Sequence, residues 1–144
     1  MRRLPSRCLV VGAALLAILF TSRTLAAQPV PDAAAERSAH AWLELVDDGK
    51  YAQSWQDASS YFRNQVAEDQ WVGTISKLRE ALDGLAAREI ASAKTATSLP
   101  GAPDGHYVVI QDRSSFTNKR SATETVIMIL DKDSHYRLDG YFIR

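Results

Sequence analysis

The chain has 144 residues, of which 46 % are hydrophobic and 24 % charged, with equal numbers of acidic and basic side chains. This length and composition fit one globular domain after removal of any targeting segment. After residue 27, the basic residues form no stripe or cluster along the chain, so the sequence predicts no nucleic-acid partner.

Residues 1–27 have the features of a secretory signal peptide. Arg2, Arg3 and Arg7 form a basic start, residues 8–20 are an apolar run too short to span a bilayer comfortably, and residues 24–27 offer small side chains for cleavage. We therefore predict a signal peptide over 1–27 and a single α+β domain over 28–144, in the periplasm or secreted. Cleavage would leave no membrane span; the alternative is an uncleaved membrane anchor.

Cleavage would also remove the only cysteine, Cys8, together with four arginines. The mature chain then has 13 basic against 17 acidic side chains, a formal charge of −4 with histidine neutral. Without cysteine it can form no disulfide and no thiolate site, so its stability must come from packing. The sequence predicts neither a cofactor nor a metal site.

Three helical segments come first in the mature chain. Asp32 can cap a helix that ends near Gly49 and has the apolar positions Ala35, Ala39, Trp42 and Val46. Residues 51–62 are typical of one or two short helices, with Ser59 or Ser60 as a cap. Residues 68–82 form a third amphipathic helix, which Asp83-Gly84 ends.

Four strands follow, over residues 85–98, 106–116, 122–131 and 136–144, the first of them an edge strand. Alternation predicts one apolar face toward the helices, formed by Val108, Ile110, Val126, Met128, Leu130, Leu138 and Phe142. The fold predicted is α+β, with three N-terminal helices packed on one face of a curved, cone-like, four-stranded antiparallel sheet.

The opposite face of this sheet has an apolar band, formed by Tyr107, Val109, Ile127, Ile129, Tyr141 and Ile143. Helices on one side only would leave that band in water, which predicts a homodimer through the open sheet face. Ordinary exposed apolar surface is the alternative.

Aromatic and cationic side chains of the helical segments, together with one aromatic residue of the last strand, are candidates for the wall of a ligand pocket. Amphipathic rings are common both in small-molecule sites and in protein cores, so both interpretations stay open. The candidate ligand-binding residues are Trp55, Tyr61, Arg63, Trp71, Arg79 and Phe142.

Two carboxylates interrupt the predicted core face and are the candidate catalytic residues. Asp112 shares a face with Val108 and Ile110, and Glu124 shares one with Val126. A hairpin closing symmetrically around Lys119 would place Asp112 opposite Val126 and diagonal to Glu124. Paired acids in an apolar cleft can supply a general base. The alternative is an ion pair with Arg63, Arg79, Arg88 or Lys119.

Histidines and acidic turns offer weaker candidates. His40 is four residues from both Glu36 and Glu44, a spacing typical of surface ion pairs along a helix. A second group gathers near one end of the sheet and could hold a divalent cation or be a solvated turn: Asp104, His106, Asp131, Asp133 and His135.

Several short motifs resemble a small secreted bacterial family known as domain of unknown function 4019. They are Trp42-Leu43, Gly49-Lys50-Tyr51, Ser54-Trp55, Leu99-Pro100-Gly101, Glu124-Thr125-Val126 and Gly140-Tyr141-Phe142-Ile143. The resemblance covers nearly the whole mature chain, and Tyr136 departs from it where Trp is expected. The family implies no established activity. The order of elements is also similar to the nuclear-transport-factor-2-like cone fold, which hosts many functions.

Two functional hypotheses follow. The first is a secreted, non-catalytic module that binds a small ligand or an envelope protein. The second is a proton-transfer enzyme of the isomerase, dehydratase or hydrolase type, with Asp112 or Glu124 as base and Tyr61 or Tyr141 as hydrogen-bond donor. Strand alternation makes Tyr141 the weaker donor, because it places this residue on the outer face. A purely structural envelope protein is a third alternative.

Overall fold

Four helices precede four strands in the computed structural model, which describes residues 32–144. The predicted signal peptide, residues 1–27, lies outside the described residues. The elements are α1 (Ala33–Asp47), α2 (Tyr51–Gln56), α3 (Ser60–Gln65), α4 (Glu68–Leu82), β1 (Leu85–Ala96), β2 (Tyr107–Phe116), β3 (Lys119–Leu130) and β4 (Tyr136–Ile143). The α+β class and the order of helices before strands are as predicted, and the segment 51–62 forms two short helices.

The helix ends follow local chemistry. The Asp32 carboxylate accepts a hydrogen bond from the backbone N–H of Ala34 at 3.0 Å, and α1 is followed by Gly49 with a φ of 73°. The Ser59 hydroxyl accepts from the backbone N–H of Phe62 at 3.0 Å, so Ser59 is the cap of α3. Helix α4 ends at Leu82, and the residue after it, Asp83, has a φ of 60°.

The strands form one curved antiparallel sheet in the order β1-β2-β3-β4. Strand β1 is an edge strand with register irregularities between Leu85 and Ala87 and between Ile90 and Ser92. Strand β4 is the other edge. Each strand pairs with its sequence neighbour, which is the simplest connection for antiparallel strands.

The main core lies between the helices and the inner face of β2, β3 and β4. Trp42 of α1 and Trp71 of α4 are buried there, with their ring centroids 5.9 Å apart. Both indole N–H groups donate to Ser54, to its carbonyl at 2.8 Å and its hydroxyl at 3.0 Å. Buried indoles therefore keep their polar atoms satisfied within the core.

A bulge in β4 overturns part of the predicted alternation. Met128 pairs with Leu138 and Ile127 with Gly140, so Asp139 is an extra residue in β4. An extra residue reverses the facing of everything after it. Tyr141 therefore faces the helices, whereas Phe142, predicted in the core, is 55 % exposed.

Leu130 was also predicted in the core and is exposed. It is the last residue of β3 and is 39 % accessible.

The outer face of the sheet is only partly open. Tyr107 is fully buried, and its hydroxyl donates to the carbonyl of Pro103 at 2.6 Å. Gly105 approaches so closely that a Cβ built on it would lie 3.2 Å from Cδ1 of Ile129. The β1–β2 loop therefore packs on one end of the predicted apolar band, while the other β2 and β3 members, Val109, Ile127 and Ile129, are half-buried.

Candidate functional site

The two candidate acids lie directly opposite each other on β2 and β3. Asp112 pairs with Glu124, and the predicted pairing of Asp112 with Val126 is wrong. The reason is the hairpin, which turns at 117–118 and contains an irregularity between Ser114 and Phe116. Both acids are completely buried on the helix side of the sheet.

Glu124 is held by four hydrogen bonds. Arg88 donates from Nε to Oε2 at 2.6 Å and from Nη2 to Oε1 at 3.0 Å. Tyr141 donates its hydroxyl to Oε1 at 2.6 Å, and the Ser114 hydroxyl donates to Oε2. Burial by itself would raise the pKa of Glu124, but the bonds from Arg88, Ser114 and Tyr141 outweigh burial and hold that pKa below its usual range.

A second carboxylate completes this ion-pair network. Asp47, at the end of α1, accepts from Arg88 at 2.6 and 3.1 Å and from Arg79 at 2.6 Å. Arg79 also approaches Glu124 at 4.0 Å, and its guanidinium lies 4.9 Å from the centroid of the Phe116 ring. Two arginines and two carboxylates balance in charge, which is the condition for burying such groups.

Tyr141 is tied into the same network. Burial and the neighbouring charge of Glu124 raise the pKa of the Tyr141 hydroxyl well above its usual value. The tyrosine is therefore a fixed hydrogen-bond donor to Glu124 at neutral pH. With its lone pairs occupied by three side chains, Glu124 has the environment of a structural carboxylate.

Asp112 has a different environment. Neither of its carboxylate oxygens has a hydrogen-bond partner within residues 32–144, and its Oδ1 lies 3.8 Å from Nε2 of His40 on α1. Burial raises the pKa of Asp112, His40 opposes that shift, and the charge of Glu124 adds to it. His40 thus faces Asp112, and no ion pair joins it to Glu36 or Glu44 among the described residues.

An apolar groove runs along the free edge of β4. This β4 groove has a volume of about 410 Å³ and lies between α3, the start of α4 and the last half of β4. Its apolar lining consists of Tyr61, Phe62, Val66, Trp71, Tyr141 and Phe142. Within the described chain its lining includes one charged side chain, Asp139, which accepts a hydrogen bond from the Ser59 hydroxyl.

Three of the six predicted ligand-binding residues line the β4 groove: Tyr61, Trp71 and Phe142. The Tyr61 hydroxyl donates to the carbonyl of Gly101 at 2.6 Å, which joins α3 to the β1–β2 loop. Trp71 packs against Phe62 at a centroid distance of 5.3 Å. The fold brings these three residues together in one groove, and their ligand-binding role stays a prediction.

The other three predicted ligand-binding residues lie elsewhere. Arg63 lies over the Trp55 ring at 5.9 Å, and the Trp55 indole N–H donates to the carbonyl of Val66 at 2.7 Å. Arg79 lines a separate cleft of about 480 Å³, but its guanidinium is engaged by Asp47. Their predicted binding roles stay predictions.

Sequence reasoning named Arg79 and Arg88 as alternative partners of the acids but missed Asp47 and Ser114. The available signal for Asp47 is its position in the last turn of α1, where a negative charge is unfavourable for the helix dipole unless a cation lies nearby. Strand alternation could have identified Ser114, because it lies two residues from Asp112 on β2 and so on the same face of the sheet.

The acidic turn between β3 and β4 is a local ion-pair cluster. Arg137 donates to Asp133 at 2.7 and 2.6 Å and to Asp131 at 3.2 Å. Among residues 32–144, no group of three or more His, Cys, Asp or Glu side chains has the arrangement of a metal site. The same part of the chain contains no helix long and apolar enough to cross a membrane.

These features define a small α+β protein whose helices cover a buried acid network and whose edge strand borders an apolar groove. The chain belongs to a family described as protein of unknown function DUF4019, whose model matches residues 38–141. No curated protein matches the sequence. The family resemblance noted from the sequence motifs is thereby confirmed.

Proposed function

We propose that this protein is an exported, non-catalytic binding module and that the β4 groove is its ligand site. The observation that carries the proposal is the groove lining: within residues 32–144, aromatic or aliphatic side chains from α3, α4 and β4 meet beside Asp139, whose carboxylate already accepts a hydrogen bond from Ser59. Concave apolar surfaces with few polar groups are typical of sites for small ligands and short peptides. The signal-peptide features of residues 1–27 support export to the periplasm or beyond.

A bulky side chain introduced into the β4 groove tests this proposal. Thr74 lines it from an exposed position of α4, whereas Lys77 is exposed on the same helix outside the lining. Native mass spectrometry compares the protein exported by its own host with the variants Thr74→Trp and Lys77→Trp. We expect non-covalent extra mass on the natural protein and on Lys77→Trp and its loss from Thr74→Trp. Extra mass that persists in Thr74→Trp, or none on any of the three, would contradict the groove as the site.

A second candidate function, proton transfer, is supported by one observation. Among residues 32–144, the Asp112 carboxylate and Nε2 of His40 are buried and have no hydrogen-bond partner; they lie 3.8 Å apart, while 43 % of the His40 side chain remains accessible. A histidine oriented by a buried carboxylate is a common general base. Glu124 is the weaker of the two predicted catalytic acids, because Arg88, Ser114 and Tyr141 occupy its oxygens.

The test of this candidate follows deuterium uptake from D₂O into a panel of enolisable ketones and hydrolysis of nitrophenyl esters. Activity that disappears in Asp112→Asn and His40→Gln but persists in Glu44→Gln, a change at an exposed position of the same helix, would support it. Equal rates in all variants would reject it.

The homodimer through the outer face of the sheet stays a prediction. Its supporting surface is the half-buried group Val109, Ile127 and Ile129, next to the loop that covers Tyr107. Sedimentation equilibrium of the natural protein and of Ile127→Lys tests it. A dimer that the lysine abolishes would support this interface, and a natural protein that remains a monomer would reject it.

A further inference from the structure

The free edge of β4 offers unpaired backbone groups beside the β4 groove. Thr123 and Arg144 exchange both backbone hydrogen bonds at 3.0 Å. In an antiparallel ladder such pairs alternate, so Phe142 points its N–H and carbonyl toward β3 while Tyr141 and Ile143 point theirs away from it. No hydrogen bond from outside the sheet reaches those groups within residues 32–144.

Within residues 32–144, backbone contacts from outside the sheet cover only the upstream part of this edge. The backbone N–H of Ser59 donates to the carbonyl of Leu138 at 2.7 Å, which is a single strand-like contact from the α2–α3 junction. Beyond it the edge runs through the lining of the β4 groove at Tyr141. Unpaired backbone groups on an edge strand are a ready template for another extended chain.

We propose that the β4 groove takes an extended, uncharged peptide segment of another protein, which adds a strand to β4 at Tyr141 and Ile143. This inference rests on the proposed function and names the class of ligand. Peptide addition of this kind takes its affinity from backbone bonds and its selectivity from alternate side chains.

The geometry also defines the peptide's side chains. Residues that pair with Tyr141 and Ile143 point to the helix side, because cross-strand neighbours share a face. At Tyr141 that side is lined by Trp71 and Val66, whereas Ile143 packs against the cluster of Leu82, Phe116 and Ala122. The residue between them lies beside Phe142 on the outer face, where that ring is 55 % exposed. The expected recognition pattern is therefore three successive apolar residues.

A second copy of this protein is the less suitable occupant of the edge. Antiparallel pairing of two β4 strands would place both helical layers on the same side of a continuous sheet. In each copy α3 and the start of α4 already border this edge and form the far wall of the groove. A single extended chain avoids bringing those two helical walls together.

The experiment uses an immobilised array of eight-residue peptides whose three central positions are varied among Val, Phe, Leu, Ser and Asp. It is probed with the mature protein and with the matched variants Ile143→Pro and Ile143→Ala. Both variants lose the isoleucine side chain, but only proline also removes the backbone N–H of residue 143. Proline is tolerated at an edge-strand position whose N–H faces away from the sheet. We expect Ile143→Ala to bind peptides with three apolar residues, and Ile143→Pro to bind them about tenfold more weakly, equivalent to roughly 1.4 kcal/mol.

Amide hydrogen exchange, followed by NMR with the best soluble peptide, gives a second measurement. The peptide should slow exchange at Tyr141 and Ile143 and leave Phe142 unchanged. Equal binding by Ile143→Pro and Ile143→Ala would overturn strand addition. If Thr74→Trp abolished that same binding, the groove would still stand as a ligand site. Peptide binding that Thr74→Trp leaves unchanged would show that the β4 groove is not the ligand site. Protection of the Tyr141 and Ile143 amides that increases with protein concentration in the absence of peptide would show that a second copy pairs with this edge.

Discussion

Arg88 on β1 reaches across the intervening strand β2 to Glu124 on β3. Its guanidinium donates to both carboxylate oxygens of Glu124, at 2.6 and 3.0 Å. The same guanidinium reaches Asp47 at the end of α1 at 2.6 Å. Arg88, whose side chain is 11 % exposed, thus joins the end of α1 to the inner face of the sheet. Several of the predictions below depend on this link.

Glu124→Gln should lower the free energy of unfolding by about 3–5 kcal/mol, because it leaves the positive charges of Arg79 and Arg88 with only Asp47 to balance them. Urea denaturation at pH 7 measures the change. The control is Glu89→Gln, since the Glu89–Arg113 pair is about 70 % exposed and should cost less than about 1 kcal/mol. Similar decreases in the free energy of unfolding for both variants would mean that the Arg79–Arg88–Asp47–Glu124 network stabilises the protein no more than an exposed ion pair does.

Tyr141→Phe should cost about 1–2 kcal/mol, because it removes the hydroxyl that donates to Glu124 and keeps the ring that packs on Trp42 at 5.4 Å. Thermal and urea unfolding both report it. Tyr51→Phe is the matched control, since the Tyr51 hydroxyl makes no hydrogen bond within residues 32–144. Equal stability of the two variants would contradict the assigned bond.

Asp112→Asn should gain stability relative to the natural protein as the pH rises. The folded protein raises the pKa of Asp112, so above the unfolded value near 3.9 the unfolded chain loses a proton that the folded chain keeps, which costs stability. Below that pH both states are protonated and this cost disappears. Denaturant unfolding between pH 4 and 8 should show the difference between variant and natural protein growing with pH.

Glu124→Gln should show the opposite trend in the same series. The pKa of Glu124 is lowered by folding, so its stabilising contribution is present above the unfolded value near 4.3 and is lost as the pH falls. The deficit of this variant should therefore shrink in acid. Parallel curves for Asp112→Asn and Glu124→Gln would show that the two opposed carboxylates do not differ in environment.

Ser59→Ala should destabilise the protein by about 1–2 kcal/mol, because it removes the cap of α3 and the hydroxyl that satisfies Asp139 in the β4 bulge. Ser60→Ala, one position later and exposed, should change the free energy of unfolding by no more than about 0.5 kcal/mol. A reversal of this order would place the cap at Ser60.

For some of the candidate site residues, the sequence predicted the correct face of the sheet, because side chains alternate regularly along a strand until a bulge interrupts it. Asp112 and Glu124 were placed on the helix side correctly, since no bulge separates either one from its apolar neighbours. Tyr141 and Phe142 were exchanged because Asp139 is an extra residue that the sequence does not mark as a bulge. The same change made Tyr141, the donor judged weaker from alternation, the one that contacts Glu124.

The sequence by itself determined the helical segments, the helix ends at Asp32, Gly49 and Asp83, and the existence of the strands, since those three residues act on backbone groups within a few positions of themselves. Only the tertiary structure decided that Asp112 faces Glu124 and His40, and that Arg88 joins Asp47 to Glu124. Those partners are far apart along the chain. Their meeting depends on the hairpin register and on how the helices pack over the sheet, which are set by the packing of the whole domain.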